Sequence, residues 1–338
     1  MYKIIFLNYY CYMLFMPMIL ITTMLIFIAN SWFSMWMIME INLISFICLM
    51  VFDKNLKNEL TMNYFLIQSF NSYLFLTSFI LMNSKLNIIM ILIMYMSILS
   101  KIGLPPFYIW YLKLMKNMNW MNLYFMSTIQ KLIPLIILNN IMMNKLMNFM
   151  IIYLILISFF SSIKGLNQNN LKIILTYSSI IQISWMLMLM MNSELMMLNY
   201  FLIYSFINLN LSLMFNKFNI ETLNNLMNLK MNNKNNFFLI MLMIFSLSSM
   251  PPMFGFLMKL ISIQNMFLMM NFFLILMMIF NSLISMYFYL KIMFISMLNF
   301  SIINKINLKT LNFKNKYNFK FLIFNMMLML MMMSYELI

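Results

Sequence analysis

Histidine and arginine are missing altogether from this 338-residue chain. Without histidine there is no imidazole to hold a haem or a zinc ion, and no side chain whose unperturbed charge changes near neutral pH. Cysteine is almost as scarce. Cys11 and Cys48 both lie in apolar stretches, and two thiolates cannot hold a four-cysteine iron–sulfur cluster. They read as small packing residues. Acidic residues number six, alanine and valine one each (Ala29 and Val51) and glycine three. Charged residues make up 8% of the chain, against about a quarter in soluble domains. No polar stretch is long enough to form a soluble domain, the longest being roughly 217–236 and 298–320. A nucleotide- or flavin-binding domain within the chain is therefore excluded.

Hydrophobic residues fill the remainder, at 65%, with 50 Met and 35 Phe. This marks an all-α, polytopic membrane protein. The scarce residues have GC-rich codons and the abundant ones AT-rich codons. Methionine fits this pattern only where ATA also reads as Met, as in many animal mitochondria. The composition thus points to an AT-rich mitochondrial gene, with an AT-rich bacterium as the alternative. A product made inside the organelle needs no targeting segment, and none is visible.

Eleven apolar stretches approach the ~20 residues needed to cross hydrocarbon. They cover 4–29, 31–52, 61–82, 86–112, 120–142, 148–163, 173–191, 195–215, 237–264, 267–291 and 319–335. All 21 basic residues are lysine. With alternating spans, 15 of them fall on the side of the N-terminus and two, Lys85 and Lys145, on the other. By the positive-inside rule the N-terminus faces the matrix and the C-terminus the intermembrane space. The net charge of +15 is then explained by the membrane, and nucleic acid is not an expected partner.

The remaining four lysines are Lys101, Lys131, Lys259 and Lys291. Lys291 lies at a span end and snorkels. The other three sit near mid-span, as does Glu40. Each costs about 2.5–3.5 kcal/mol at the centre of a bilayer, so the four cost on the order of 10 kcal/mol unless paired or hydrated. Such groups usually mark proton or ion pathways. Burial disfavours charged lysine and a nearby carboxylate favours it, so a Glu40–Lys101 pair would act as a switch. The structural alternatives are a buried salt bridge at Glu40 and a lysine capping unwound backbone at Lys131.

Two spans carry matching breaks. Span four contains Lys101-Ile-Gly103-Leu-Pro105-Pro106-Phe107. Span nine contains Pro251-Pro252-Met-Phe-Gly255 followed by Lys259. Adjacent prolines remove backbone donors and interrupt a helix. The two spans are five apart, so they cross the membrane in opposite directions. Paired broken helices in inverted halves are a pointer to a transport site; the structural alternative is that each Pro-Pro merely kinks a packed helix. This divides the chain into a first five-helix unit at 1–145, an inverted second unit at 146–295, and a loop with a last helix at 296–338.

These stretches resemble the antiporter-like membrane subunits of the NADH–ubiquinone oxidoreductases (respiratory complex I). The resemblance runs through Trp36 to Leu43, Lys101 to Trp110, Gln130 to Pro134, Gly165 to Gln168, Tyr177 to Ile180, Met250 to Lys259 and Tyr287 to Lys291. It implies a proton-translocating subunit with Glu40, Lys101, Lys131 and Lys259 as the relay. Tyr108, Tyr177, Ser178, Ser179 and Gln182 would then hold water or pass protons; the hydroxyls could also simply bond helix to helix. The family often has histidine where this chain has Tyr108 and Gln182, so a path through those positions needs water. The resemblance further implies no cofactor in this chain. NADH, flavin, iron–sulfur clusters and ubiquinone would belong to partner subunits, membrane and peripheral. A free-standing cation/proton antiporter and a passive membrane scaffold remain the alternatives.

Overall fold

The computed structural model describes residues 2–53, 56–83, 87–141, 147–232, 234–251, 253–267 and 272–298. Pro252 and the expected last span at 319–335 lie outside them. Helices joined by short turns make up the described residues, with an isolated antiparallel bridge between Asn170 and Thr222.

Fourteen helices follow in order: α1 Tyr2–Leu25, α2 Trp32–Val51, α3 Asn58–Ile80, α4 Asn87–Ile102, α5 Ile109–Asn117, α6 Trp120–Ser127, α7 Ile129–Ile141, α8 Met147–Leu166, α9 Leu171–Met190, α10 Glu194–Phe218, α11 Leu223–Asn232, α12 Lys234–Ser248, α13 Phe254–Phe267 and α14 Phe272–Leu298. Their starts follow local chemistry. The Ser31 hydroxyl accepts from the Ser34 amide at 3.2 Å and caps α2. The Asn170 carboxamide accepts from the Lys172 amide at 3.0 Å and caps α9.

Among the described residues, five stretches are long and apolar enough to cross a membrane: Trp32–Val51, Trp120–Ile141, Leu171–Met190, Glu194–Phe218 and Phe272–Ser296. Large apolar side chains on the outer faces of α1, α2, α3 and α14 are exposed, as a lipid-facing surface requires. Helix α9 occupies the opposite environment. Eighteen of its 20 residues are buried, and it packs against α5, α6, α8, α10, α13 and α14. A helix with apolar residues on every face, its serines bonded back to its own carbonyls, belongs in such a core. Buried serines such as Ser97, Ser158 and Ser184 return their hydroxyl protons to the carbonyl three residues earlier.

The expected spans four and nine are each two helices. Helix α4 ends at Gly103, whose φ is +79°. The Leu104 amide reaches back to the Leu99 carbonyl at 3.2 Å, which closes a Schellman cap. Helix α12 ends in the same way at Ser249, with φ +57°, and the Met250 amide bonds the Phe245 carbonyl at 3.3 Å. Four residues after each cap residue, an amide (Phe107 or Met253) bonds the carbonyl of Leu104 or Met250 at 2.8 Å. The first break has a left-handed glycine, and the second a left-handed serine. The third glycine role is packing: a Cβ on Gly255 would collide with the Ser246 carbonyl oxygen of α12.

Span five, expected as one helix, also breaks. Thr128 leaves the helical region (φ −124°, ψ −82°) between α6 and α7, and its hydroxyl bonds the Tyr124 carbonyl at 2.7 Å. Pro134 one turn later cannot donate to the Gln130 carbonyl, so the helix around Lys131 is weakened from both ends. The polar stretch 217–236 contains a helix that its asparagines disguise. Leu223, Leu226 and Leu229 are buried at a helical spacing, and α11 packs on α12 and α14.

One end of the bundle is pinned by Asp53. Its carboxylate accepts from the Asn119 amide at 3.0 Å, from the Asn119 side chain, and from the Asn122 side chain at 2.9 Å, holding the start of α6. Beside it Lys172 lies over the Trp120 ring and pairs with Glu221 at 2.7 Å.

Candidate functional site

The three mid-span lysines are all buried: Lys101 is 8% exposed, Lys131 3% and Lys259 7%. Lys101 belongs to the last turn of α4, and Lys131 to the first turn of α7 just past the Thr128 break. Both therefore sit beside interrupted backbone. Lys101 and Lys131 line one cavity of about 30 Å³, together with Gln130, Gln68, Asn42 and Tyr64. That is room for a water molecule, and the wall offers it several polar partners. The break beside Lys101 is well satisfied: Gln68 donates to the Lys101 carbonyl at 3.1 Å, and the Tyr153 hydroxyl to the Pro105 carbonyl.

On one side of the cavity Asn42 of α2 and Gln130 of α7 exchange two amide bonds, at 2.7 and 3.2 Å. On the other, the Lys131 ammonium donates to the Ser179 hydroxyl oxygen at 3.0 Å. It also lies over the Tyr111 ring, 4.3 Å from its centre, while the Tyr111 hydroxyl is 3.0 Å from the same Ser179 oxygen. Further along α9 the Tyr200 hydroxyl donates to the Gln182 side chain. Ser178 and Tyr177 are buried on the same helix, and Tyr108 packs edge-on against Phe160 at the start of α5.

Glu40 and Lys101 do not form an ion pair. The Lys101 ammonium instead meets the Met39 sulfur at 3.6 Å, the residue next to Glu40. Glu40 Oε1 is buried without a hydrogen-bond partner, as is Trp36 Nε1 one turn away on the same helix. Lys259 does not line the cavity; it lies on α13, beyond the second break. The two breaks also differ in where they put their lysines. Lys101 precedes the cap residue Gly103 by two positions, whereas Lys259 follows Ser249 by ten. The residue ten beyond Gly103 is Lys113, which is exposed.

Several site residues carry no role in the sequence reading: Asn42, Gln68, Tyr111, Gln130, Met39 and Tyr200. The available signal was their polarity inside apolar spans, which applies to Asn42, Gln68 and Gln130 and not to Tyr111 or Met39.

Residues 29–285 match the family described as NADH:quinone oxidoreductase/Mrp antiporter, TM. The chain belongs to this family. Within it, the chain is 36% identical over 251 residues to NADH-ubiquinone oxidoreductase chain 2 of Anopheles gambiae, covering 71% of this chain and 72% of that one. It is 35% identical to the Aedes aegypti chain 2 over the same shares. It is 37% identical to that of Rhipicephalus sanguineus, covering 66% of this chain and 70% of the other. These relatives are subunits of an oxidoreductase complex, and the chain is of the antiporter-like complex I subunit family.

Solved structures share the family fold. A chain of the archaeal membrane-bound sulfane sulfur reductase superposes with a TM-score of 0.74 at 15% identity, covering 91% of this chain and 69% of that one. A chain of respiratory complex I from Thermus thermophilus gives 0.69 at 18%, covering 77% and 64%. A chain of the Mrp complex from Dietzia gives 0.72 at 12%, covering 83% and 59%. This chain thus spans less than two thirds of the last two. Glu40, Lys101, Lys131 and Lys259 all fall inside the family match.

Proposed function

We propose that this chain is a proton-translocating, antiporter-like subunit of a mitochondrial NADH:ubiquinone oxidoreductase. The observation that carries the reading is the cavity lined by both Lys101 and Lys131, with room for water between them. The Lys101 ammonium points at the Met39 sulfur and the Lys131 ammonium at the Ser179 oxygen, so water has to bridge them. Water in the cavity then passes the proton from Lys101 to Lys131. Charged Lys131 is held by the Ser179 oxygen and the Tyr111 ring. Glu40 sets the charge of Lys101 from a distance, and a rotation of α2 that exchanges Met39 for Glu40 would close the direct pair. From Lys131 the path continues along α9, through Ser179, Ser178, Tyr177 and Gln182 with Tyr108 nearby, toward Lys259.

Around this relay, 1–145 and 146–295 form two inverted five-helix units, which the matching caps at Gly103 and Ser249 support. Of the expected third part at 296–338, residues 296–298 end α14, and the loop and last helix expected beyond them lie outside the described residues. The chain sits in the inner membrane, N-terminus to the matrix, among membrane and peripheral partner subunits. NADH, flavin, iron–sulfur clusters and quinone are handled by those partners, and this chain carries no redox step.

The test is Lys131→Met in the reconstituted complex, with NADH oxidation and proton uptake measured together. The expected result is an assembled complex whose NADH-driven proton uptake falls sharply. Normal pumping would overturn the relay. The family also contains Mrp antiporters, so a free-standing antiporter is the second reading. It predicts that the chain migrates on native gels in a small band without NADH-oxidising activity.

A further inference from the structure

A second concavity, unrelated to the lysine cavity, lies on the outer surface between α3, α4 and α5 and has a volume of about 1020 Å³. That is at the upper end of the ~300–1,000 Å³ typical of small-molecule sites. Its walls are mostly apolar, with Phe70, Ile93 and Phe107 among them, and its rim at Leu66, Ile89 and Ile109 is exposed. Besides Asn63, Tyr64, Ser97 and Ser100, the wall holds Trp110, Asn71 and Lys113, each with a hydrogen-bond donor to offer. Trp110 Nε1 and Asn71 Nδ2 are buried without partners, and Lys113 lies one helical turn beyond Trp110 on α5. No carboxylate lines the groove.

The occupant must bring apolar length and acceptor oxygens together. A transmembrane helix from another subunit is a poor match, because its carbonyls are already engaged within the helix. A phospholipid fits: its acyl chains suit the wall, and its phosphate and ester oxygens are acceptors without internal partners. We propose that this groove is a binding site for an anionic phospholipid, with the phosphate at Lys113, an ester oxygen at Trp110 Nε1 and the acyl chains along α3 and α4 past Asn71. Lys113 stands with Lys116 at the lysine-rich end of the chain's spans, where anionic headgroups are attracted. The equivalence of Lys113 with Lys259 adds a division of labour. The same position after the break is buried in one half and faces lipid in the other.

The test uses the intact assembly, solubilised from its native membrane and washed free of loosely held lipid. It is incubated with phosphatidylglycerol or phosphatidylcholine bearing a photoactivatable group midway along one chain. Mass spectrometry then maps the crosslinks. The expected result is labelling of α3, α4 and α5 peptides by phosphatidylglycerol, several-fold above phosphatidylcholine and above the exposed face of α14 around Phe273 and Phe280. Lys113→Met should reduce the phosphatidylglycerol labelling to the phosphatidylcholine level while the native-gel band stays. Equal labelling of α14 and the groove would mean ordinary boundary lipid and would overturn the proposal. So would equal labelling by the two headgroups, or a crosslink placing a partner's helix in the groove.

Discussion

Replacing Gly103 by alanine probes whether the first helix break is fixed by its glycine. Gly103 has φ +79°, a region that costs an L-residue about 1–2 kcal/mol. An added Cβ would also lie 2.9 Å from Tyr111 Cβ and 3.1 Å from its Cγ, which forces the side chain to move. Overpacking of this kind costs about 1–3 kcal/mol. The two together make about 2–5 kcal/mol. At roughly tenfold per 1.4 kcal/mol, the lower bound corresponds to an approximately 30-fold rise in local opening. Hydrogen exchange in the solubilised assembly reads this directly at the Gly103 and Leu104 amides, which bond the Leu99 carbonyl. Tyr111 is the ring beneath Lys131, so NADH-driven proton uptake should fall in the same variant. The matching change at the second break, Ser249→Gly, relieves a similar backbone cost but loosens the unfolded chain and removes the Ser249 hydroxyl bond to the Ser248 carbonyl. Its exchange should shift less than tenfold. Protection of Gly103 and Leu104 in Gly103→Ala within threefold of the original chain would refute the argument.

Asn42→Leu leaves the half-buried Gln130 amide without its partner, at a cost of about 1–3 kcal/mol, while the double change Asn42→Leu with Gln130→Leu should recover most of the lost assembly on native gels. Asp53→Ala removes a carboxylate that accepts from three donors at the start of α6; a loss above about 3 kcal/mol should appear as depletion of the chain from the assembled complex. Gly255→Ala sets a side chain against the backbone of α12, where no flexible neighbour can yield, and should abolish assembly altogether, whereas Gly165→Ala meets only the edge of the Phe288 ring at 3.3 Å and should assemble.

Much of the architecture was legible from residue type alone, for a local reason. In hydrocarbon each polar or helix-breaking residue is expensive where it stands, whatever it contacts. The buried lysines, the Gly103–Pro106 break and the break around Pro251 therefore announce themselves without a fold. The Thr128 break and helix α11 did not. Threonine in a helix gives no warning, and three leucines among asparagines make a short stripe that only packing on α12 and α14 turns into a helix.

The sequence by itself determined that the chain crosses a membrane, where its proline-marked helices break, and which charges lie inside. The tertiary structure alone decided which of those charges meet. Lys101 and Lys131 share a cavity, Met39 stands where Glu40 was expected, and the lysines of the two breaks fall on opposite sides of their caps. The reason is rotational. Adjacent residues on a helix point about 100° apart, so a shift of one position exchanges Met39 for Glu40. When Met, Ile, Leu and Phe cover every face, no apolar stripe marks which way a helix turns. The choice is then left to the packing of the neighbours, above all of the largely buried α9.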